Sequence, residues 1–274
     1  MTVLLKKILL RQFTRGPRLQ RLWSGLHTLA IFGMNYGGGG CIESSGEDWV
    51  LSEVVAKACE GVPNPVVFDV GANVGHYSLL VRRHIPSAFI YAFEPAEPVY
   101  RQLTQNLTDR GDVKAKAYNI GFSDSEKDLE LYSYAIEGRE ISLLASLDRR
   151  LPTQVLETTV SSTERIQTKT IDGFCATNAI DRVDFLKLDV EGHELAILRG
   201  ASQLLASGSI SMIQFEFGPA NIYSRTYFYD FWSLLSQNYD LYRIIPRGIV
   251  PIRYYGEHRE VFLTSNYLAV IRRK

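Results

Sequence analysis

Cysteine is scarce: three in 274 residues, at 41, 59 and 175, with no C-x-x-C pair among them. An odd, scattered set excludes a disulfide framework and a thiolate metal cluster, and it suits small buried side chains in a reducing compartment. No apolar run approaches the ~18 residues that a membrane-spanning helix needs. The N-terminal apolar patches are too short for the core of a secretory leader, so a cytoplasmic protein is expected. Net charge is also missing. Thirty Lys and Arg face thirty Asp and Glu, which gives no overall pull toward nucleic acid. Acid is absent before Glu43, whereas Lys6, Lys7, Arg11, Arg15, Arg18 and Arg21 all fall in that stretch.

What is present divides in two. Residues 1–43 read as a basic amphipathic helical arm that ends in the glycine run Tyr36–Gly40, a flexible boundary. Through residues 1–25 such an arm can contact the inner face of an anionic membrane, or it can pack as a solvated helix on the main domain. Residues 44–274 form that domain, and with 46% hydrophobic residues in the chain it can bury a substantial core. From Val66 onward strand and helix patterns alternate, as in α/β proteins with a parallel, doubly wound sheet. The strands read at 66–70, 89–93, 113–120, 183–188, 211–217, 239–245 and 267–272, with 129–134 as a short hairpin partner. Residues 135–165 lack periodicity and read as a loop insertion.

The chain is organised around Val66-Val67-Phe68-Asp69-Val70-Gly71-Ala72-Asn73-Val74-Gly75. A buried strand carrying Asp69 turns through two glycines into a helix, which makes a concave nest of backbone N–H groups. The second strand ends in Glu94, 25 positions after Asp69, where ribose hydroxyls are commonly bound. A dinucleotide site would want G-x-G-x-x-G, and an acid beside its pyrophosphate would repel. The same acid attracts the sulfonium and amino group of S-adenosylmethionine. The turn therefore points to S-adenosylmethionine, with a nicotinamide-dependent oxidoreductase as the alternative enzyme and a non-catalytic scaffold as the alternative outside enzymology.

Asp69, Glu94, Asn119, Asp189 and Glu216 all lie at carboxyl ends of strands, the edge where open α/β sheets bind ligands. Methyl transfer needs donor and acceptor held in line, and a hydroxyl acceptor gains from a base. Asp189, Glu191, His193 and Glu194 crowd the loop after 183–188, and His193 has a ring suited to base work, or else faces solvent at a helix start. Asp189 with Glu216 could hold a divalent cation, though no third ligand is evident. His76 reads as a substrate contact or a packing residue. Arg243, Arg247, Arg253, Tyr254 and Tyr255 read as an acceptor groove or a solvated edge strand.

These segments resemble a known family. D-V-G-A-N-V-G-H-Y-S at 69–78, F-E-P at 93–95, G-F-S-D at 121–124, L-K-L-D-V-E-G-H-E at 186–194 and L-R-G-A at 198–201 are similar to the FkbM-type S-adenosylmethionine-dependent methyltransferases. The resemblance implies a class I methyltransferase fold, Rossmann-like and doubly wound, with a mostly parallel seven-stranded sheet. It implies O-methylation of a sugar, glycan or natural-product hydroxyl. Asp69, Gly71, Ala72, Asn73 and Gly75 would shape the donor pocket, Glu94 would take the ribose, and Asn119, Ile120 and Gly121 would border the adenine. Asp189 and Glu191 would lie near the methyl, with His193, His76 and Glu216 toward the acceptor.

Overall fold

Strand β1 (Val66–Val70) lies inside an eight-stranded sheet in the computed structural model, which describes residues 16–40, 42–109, 111–136, 139–147 and 158–272. Its β-branched and aromatic residues suit a strand buried on both faces. Parallel to it run β2 (Phe89–Phe93) on one side and β8 (Val183–Leu188) on the other. β3 (Ala115–Tyr118) continues beyond β2, and β9 (Ile210–Phe217) beyond β8, both still parallel. β12 (Ser265–Ile271), β10 (Tyr239–Ile245) and β11 (Gly248–Ile252) complete the sheet in antiparallel register. The order β11-β10-β12-β9-β8-β1-β2-β3 is doubly wound and reverses direction at β1. A ligand crevice is expected at that switch point, outside the carboxyl ends of β1 and β8.

The sheet has eight strands, not the expected seven. The extra one, β11, is an edge strand that pairs only with β10. Its Pro251 argues against a strand at the sequence level, but an edge position leaves a missing N–H without cost. The insertion also differs from expectation. Asp128–Ile136 (β5), Arg139–Ser146 (β6) and Thr158–Lys169 (β7) form a second sheet with β4 (Gly121–Phe122), in the order β4-β7-β5-β6. Among the described side chains this sheet packs on the body through Phe122, Leu129, Leu131, Leu147 and Ile166.

Alternation along the central strands sends neighbours to opposite faces. Phe68 joins Phe93 and Phe174 on one face, with ring centroids 5.1 and 5.9 Å away. Val67, Phe185 and Met212 face the other way, beneath Val50, Leu51, Val55 and the helix His76–His84. Residues of odd and even register therefore see different environments, which decides where the site's charges go.

Helix Pro17–Gly33 is present in the arm and buries none of its residues. Residues 1–15 lie outside the described residues, as does Cys41, while Cys59 and Cys175 are buried thiols. The glycine run is pinned rather than free. The amides of Gly37 and Gly39 both donate to the Thr264 carbonyl at 3.1 Å, and Tyr36 stacks 4.4 Å from the Arg243 guanidinium, which also donates to the Met34 carbonyl. Arg243 is thus buried as the clasp of the arm, not an acceptor contact. Among the described residues no helix is long and apolar enough to cross a membrane.

Candidate functional site

A cavity of about 600 Å³ opens at the carboxyl ends of β1, β2, β8 and β9. Gly71, Ala72, Asn73 and His76 line it from the turn after β1, with Glu94, Ile120 and Gly121 from the turns after β2 and β3. Asp189, Glu191 and His193 come from the loop after β8, and Glu216 from β9. Leu131, Leu147 and Ile166 of the second sheet close one side. Most of the expected residues therefore converge. Asp69, Gly75 and Asn119 do not line the cavity.

The turn after β1 explains why. All five of its backbone N–H groups are spent inside the protein. Those of Gly71 and Ala72 donate to the Phe93 carbonyl, that of Asn73 to Glu94 Oε2 at 3.0 Å, that of Val74 to Asn73 Oδ1, and that of Gly75 to the Ala72 carbonyl. The expected open nest is thus corrected: no amide from 71 to 75 is left to hold a phosphate. Asp69 is corrected too. Its side chain is fully buried behind the turn and takes the hydroxyl of Ser78 at 2.6 Å and the Ser78 backbone N–H. A built-in carboxylate at the start of helix His76–His84 occupies the place where a dinucleotide pyrophosphate would bind. Burial pushes the Asp69 carboxyl above the usual carboxylate range.

Glu94 holds the other half of the turn. Its Oε1 accepts from the Ala96 amide at 2.9 Å while Oε2 holds Asn73. Burial pushes its pKa up to about 7 despite those two bonds. Asn119 acts one step further out, donating to the carbonyls of Glu94 and Pro95. It orders the chain after β2 instead of lining the cavity.

Lys187 and Gln214, which sequence reasoning missed, form a polar row with Asp69. Asp69, Lys187 and Gln214 are register neighbours on β1, β8 and β9, all three on the face shared with Tyr77. Gln214 accepts from the Tyr77 hydroxyl at 3.0 Å and donates to Glu47 Oε1 at 2.7 Å. Lys187 sits 4.5 Å from the Tyr77 ring centroid and donates to Asp189 Oδ2 at 2.8 Å. Burial opposes the ammonium, but Asp189, Glu47 and Asp69 outweigh it and hold the Lys187 pKa above its ordinary value. Glu47 and Lys187 both line the cavity. Lys187 in L-K-L-D was the available signal, since a lysine in the middle of an apolar strand must find a buried anion.

After β8 the chain makes a tight loop in which Glu191 has φ of 56° and Gly192 of 106°. The Glu194 carboxylate fixes it, accepting from the amides of Val190 and Gly192. His193 lines the cavity with Nε2 2.9 Å from the Ser123 hydroxyl. Burial, then Lys127, lowers its pKa to about 4 against a smaller pull from Asp124, so the ring is neutral and a weaker base than expected. Burial and the charges of Asp189, Glu191 and Glu194 push Glu216 well above the usual carboxylate range. The Lys187 ammonium already neutralises Asp189, the carboxylate expected to share a cation with Glu216. Turnover is accordingly expected to persist in excess EDTA, measured as methyl transfer before and after chelation. Arg247, Arg253, Tyr254 and Tyr255 stand away from the cavity lining.

Comparison with known proteins agrees with this geometry. The family model described as "Methyltransferase FkbM domain" matches residues 69–242. The chain is 28% identical over 178 residues to methyltransferase sdnD of Sordaria araneosa, covering 57% of this chain and 69% of that protein. It is 28% identical over 173 residues to hexuronic acid methyltransferase AglP of Haloferax volcanii, covering 63% and 64%. It is 22% identical over 149 residues to 2-O-methyltransferase NoeI of Sinorhizobium fredii, covering 52% and 60%. The chain thus spans less than two thirds of AglP and NoeI, and 8% of one far longer relative. With a match over more than half its length, the chain belongs to the FkbM family of S-adenosylmethionine-dependent methyltransferases.

Proposed function

We propose that this chain transfers a methyl group to a hydroxyl of a sugar, glycan or natural product. The observation that carries the donor side is the carboxyl-rich lining of the cavity. Glu47, Glu94, Asp189, Glu191 and Glu216 line it with Lys187 as the one ammonium among the described residues, and its glycine turn offers no amide to a phosphate. That donor set suits a cationic ligand. S-adenosylmethionine, when bound, supplies an electrophilic methyl on a positively charged sulfur.

Glu94 would take the ribose hydroxyls, since each of its oxygens keeps a lone pair beyond the amide it already holds. Gly71, Ala72 and Asn73 would form the floor, with Ile120 and Gly121 against the adenine. Asp189, held by Lys187, would face the methionine end with Glu191. Glu216, which lines the cavity from the carboxyl end of β9, is the proton acceptor assigned to the hydroxyl, since the His193 pKa of about 4 makes that ring a weak base. His76 and His193 would then orient the acceptor. The names of AglP and NoeI support a sugar-type, oxygen acceptor.

Calorimetry with S-adenosylhomocysteine tests the donor roles. Glu94→Gln places an NH₂ against one of two backbone amides and removes charge-assisted bonds worth about 1.5–3 kcal/mol each, so affinity should fall about 10- to 100-fold. The pH dependence follows from the pKa of about 7. Below it Glu94 is protonated and accepts less well; above it the carboxylate is complete. Donor affinity should rise roughly tenfold from pH 6 to pH 8 and become flat in Glu94→Gln. Unchanged affinity in the variant would remove Glu94 from the donor site. The acceptor is tested by mass spectrometry of glycans and lipids from cells with and without the protein, read for one added methyl.

A further inference from the structure

Helix Pro17–Gly33 carries an apolar stripe that stays exposed among the described residues. Leu22, Leu26 and Leu29 follow one another at helical spacing and are 55%, 44% and 68% exposed, with Phe32 at 70% on the flank. Ser24 and Thr28 lie on the opposite face. Large side chains left in water along one helix face mark an interaction surface. We infer that this helix docks on an anionic lipid surface and anchors the enzyme there.

Charge selects the occupant. The first 42 residues hold six Lys and Arg and no acid, and Arg18 and Arg21 flank the apolar stripe itself. A second copy of the chain would bring like charge against like. A bilayer with acidic headgroups neutralises these cations while its acyl boundary takes the leucines. The helix is coupled firmly to the sheet. Arg243 holds the Met34 carbonyl and stacks on Tyr36, and Thr264 holds the amides of Gly37 and Gly39. Gly39 and Gly40 in turn line the donor cavity, so docking of the helix brings the mouth of the cavity close to the bilayer.

Vesicle flotation of the full chain tests this. Binding should be at least ~10-fold stronger to phosphatidylcholine vesicles containing phosphatidylglycerol than to phosphatidylcholine alone, and should weaken with salt. Leu22→Glu, Leu26→Glu and Leu29→Glu together should cut binding about tenfold while affinity for S-adenosylhomocysteine stays unchanged, since none of the three lines the cavity. Retained homocysteine-ligand affinity also shows that the variant is folded. Equal vesicle binding by the triple variant would overturn the inference. So would a wild type that ignores anionic vesicles, or one whose leucine stripe proves on sedimentation to hold a dimer that the triple variant dissolves.

Discussion

Gly71→Ala should abolish donor binding and cost the fold several kcal/mol. At φ of +80° a side chain is already strained by about 1–2 kcal/mol. Far more severe is the space: a Cβ there would stand 1.9 Å from the carbonyl oxygen of Asp189 and 3.2 Å from Val190. Both obstacles belong to the loop after β8, so relief means moving the ends of β1 and β8 apart. Those ends are tied by the Asp189 amide on the Val70 carbonyl at 3.0 Å, and the Gly71 amide is tied to Phe93. The cavity floor and the carboxylate of Asp189 would shift together. Thermal unfolding should fall by about 10 °C or more, and calorimetry should show at least ~100-fold weaker S-adenosylhomocysteine binding. Gly111→Ala is the control, with φ of +63° and nothing within 4 Å of the added carbon. It should cost only the strain. Wild-type affinity in Gly71→Ala would mean that the turn does not set the donor site.

Lys187→Met should be the other severe change. The methionine fills a similar volume but leaves Asp69, Glu47 and Asp189 without their shared cation. Removing one partner of a buried ion pair typically costs about 3–5 kcal/mol, because the orphaned charge stays in low dielectric. The loss should depend on pH in a definite direction. Burial already raises the pKa of Asp69 and Glu47 above their ordinary values, and without the lysine it rises further. A group with a raised folded pKa stabilises at low pH and loses that contribution as pH rises through the folded value. The deficit of Lys187→Met should therefore be small near pH 5 and large near pH 8, in chemical denaturation at both. Adding Glu47→Gln should recover part of it at pH 8, since one repelling charge is gone. A deficit independent of pH would show that Lys187 acts by packing alone.

Much of the site was legible from pattern. The short β-branched run, the glycines at 71 and 75, Glu94 and the D-V-E-G-H-E loop located the switch point of the sheet, because strand ends next to tight turns are local features. Asp69 lies behind the cavity lining for a register reason. Side chains alternate across a strand, so Asp69 faces the helix side with Lys187 and Gln214, while the backbone of Gly71 meets the cavity. Burial, which spacing does not reveal, lowers the His193 pKa to about 4 and holds its ring neutral. The strand at 139–146 and the first half of that at 158–169 were read as a loop insertion, while the residues from 165 to 169 had offered a strand pattern.

The order of residues by itself determined the doubly wound class, the position of the glycine turn, the family motifs and the positive charge of the arm, since each is set by near neighbours in the chain. Tertiary structure alone decided that Glu47, 140 positions before Lys187, shares its polar cluster through Gln214, that the turn's amides are already used, and that the leucine stripe at 22–29 is exposed among the described residues. Those facts depend on which distant segments meet and how much water they exclude, and desolvation together with register is what separates a charged residue that binds a ligand from one that holds the fold.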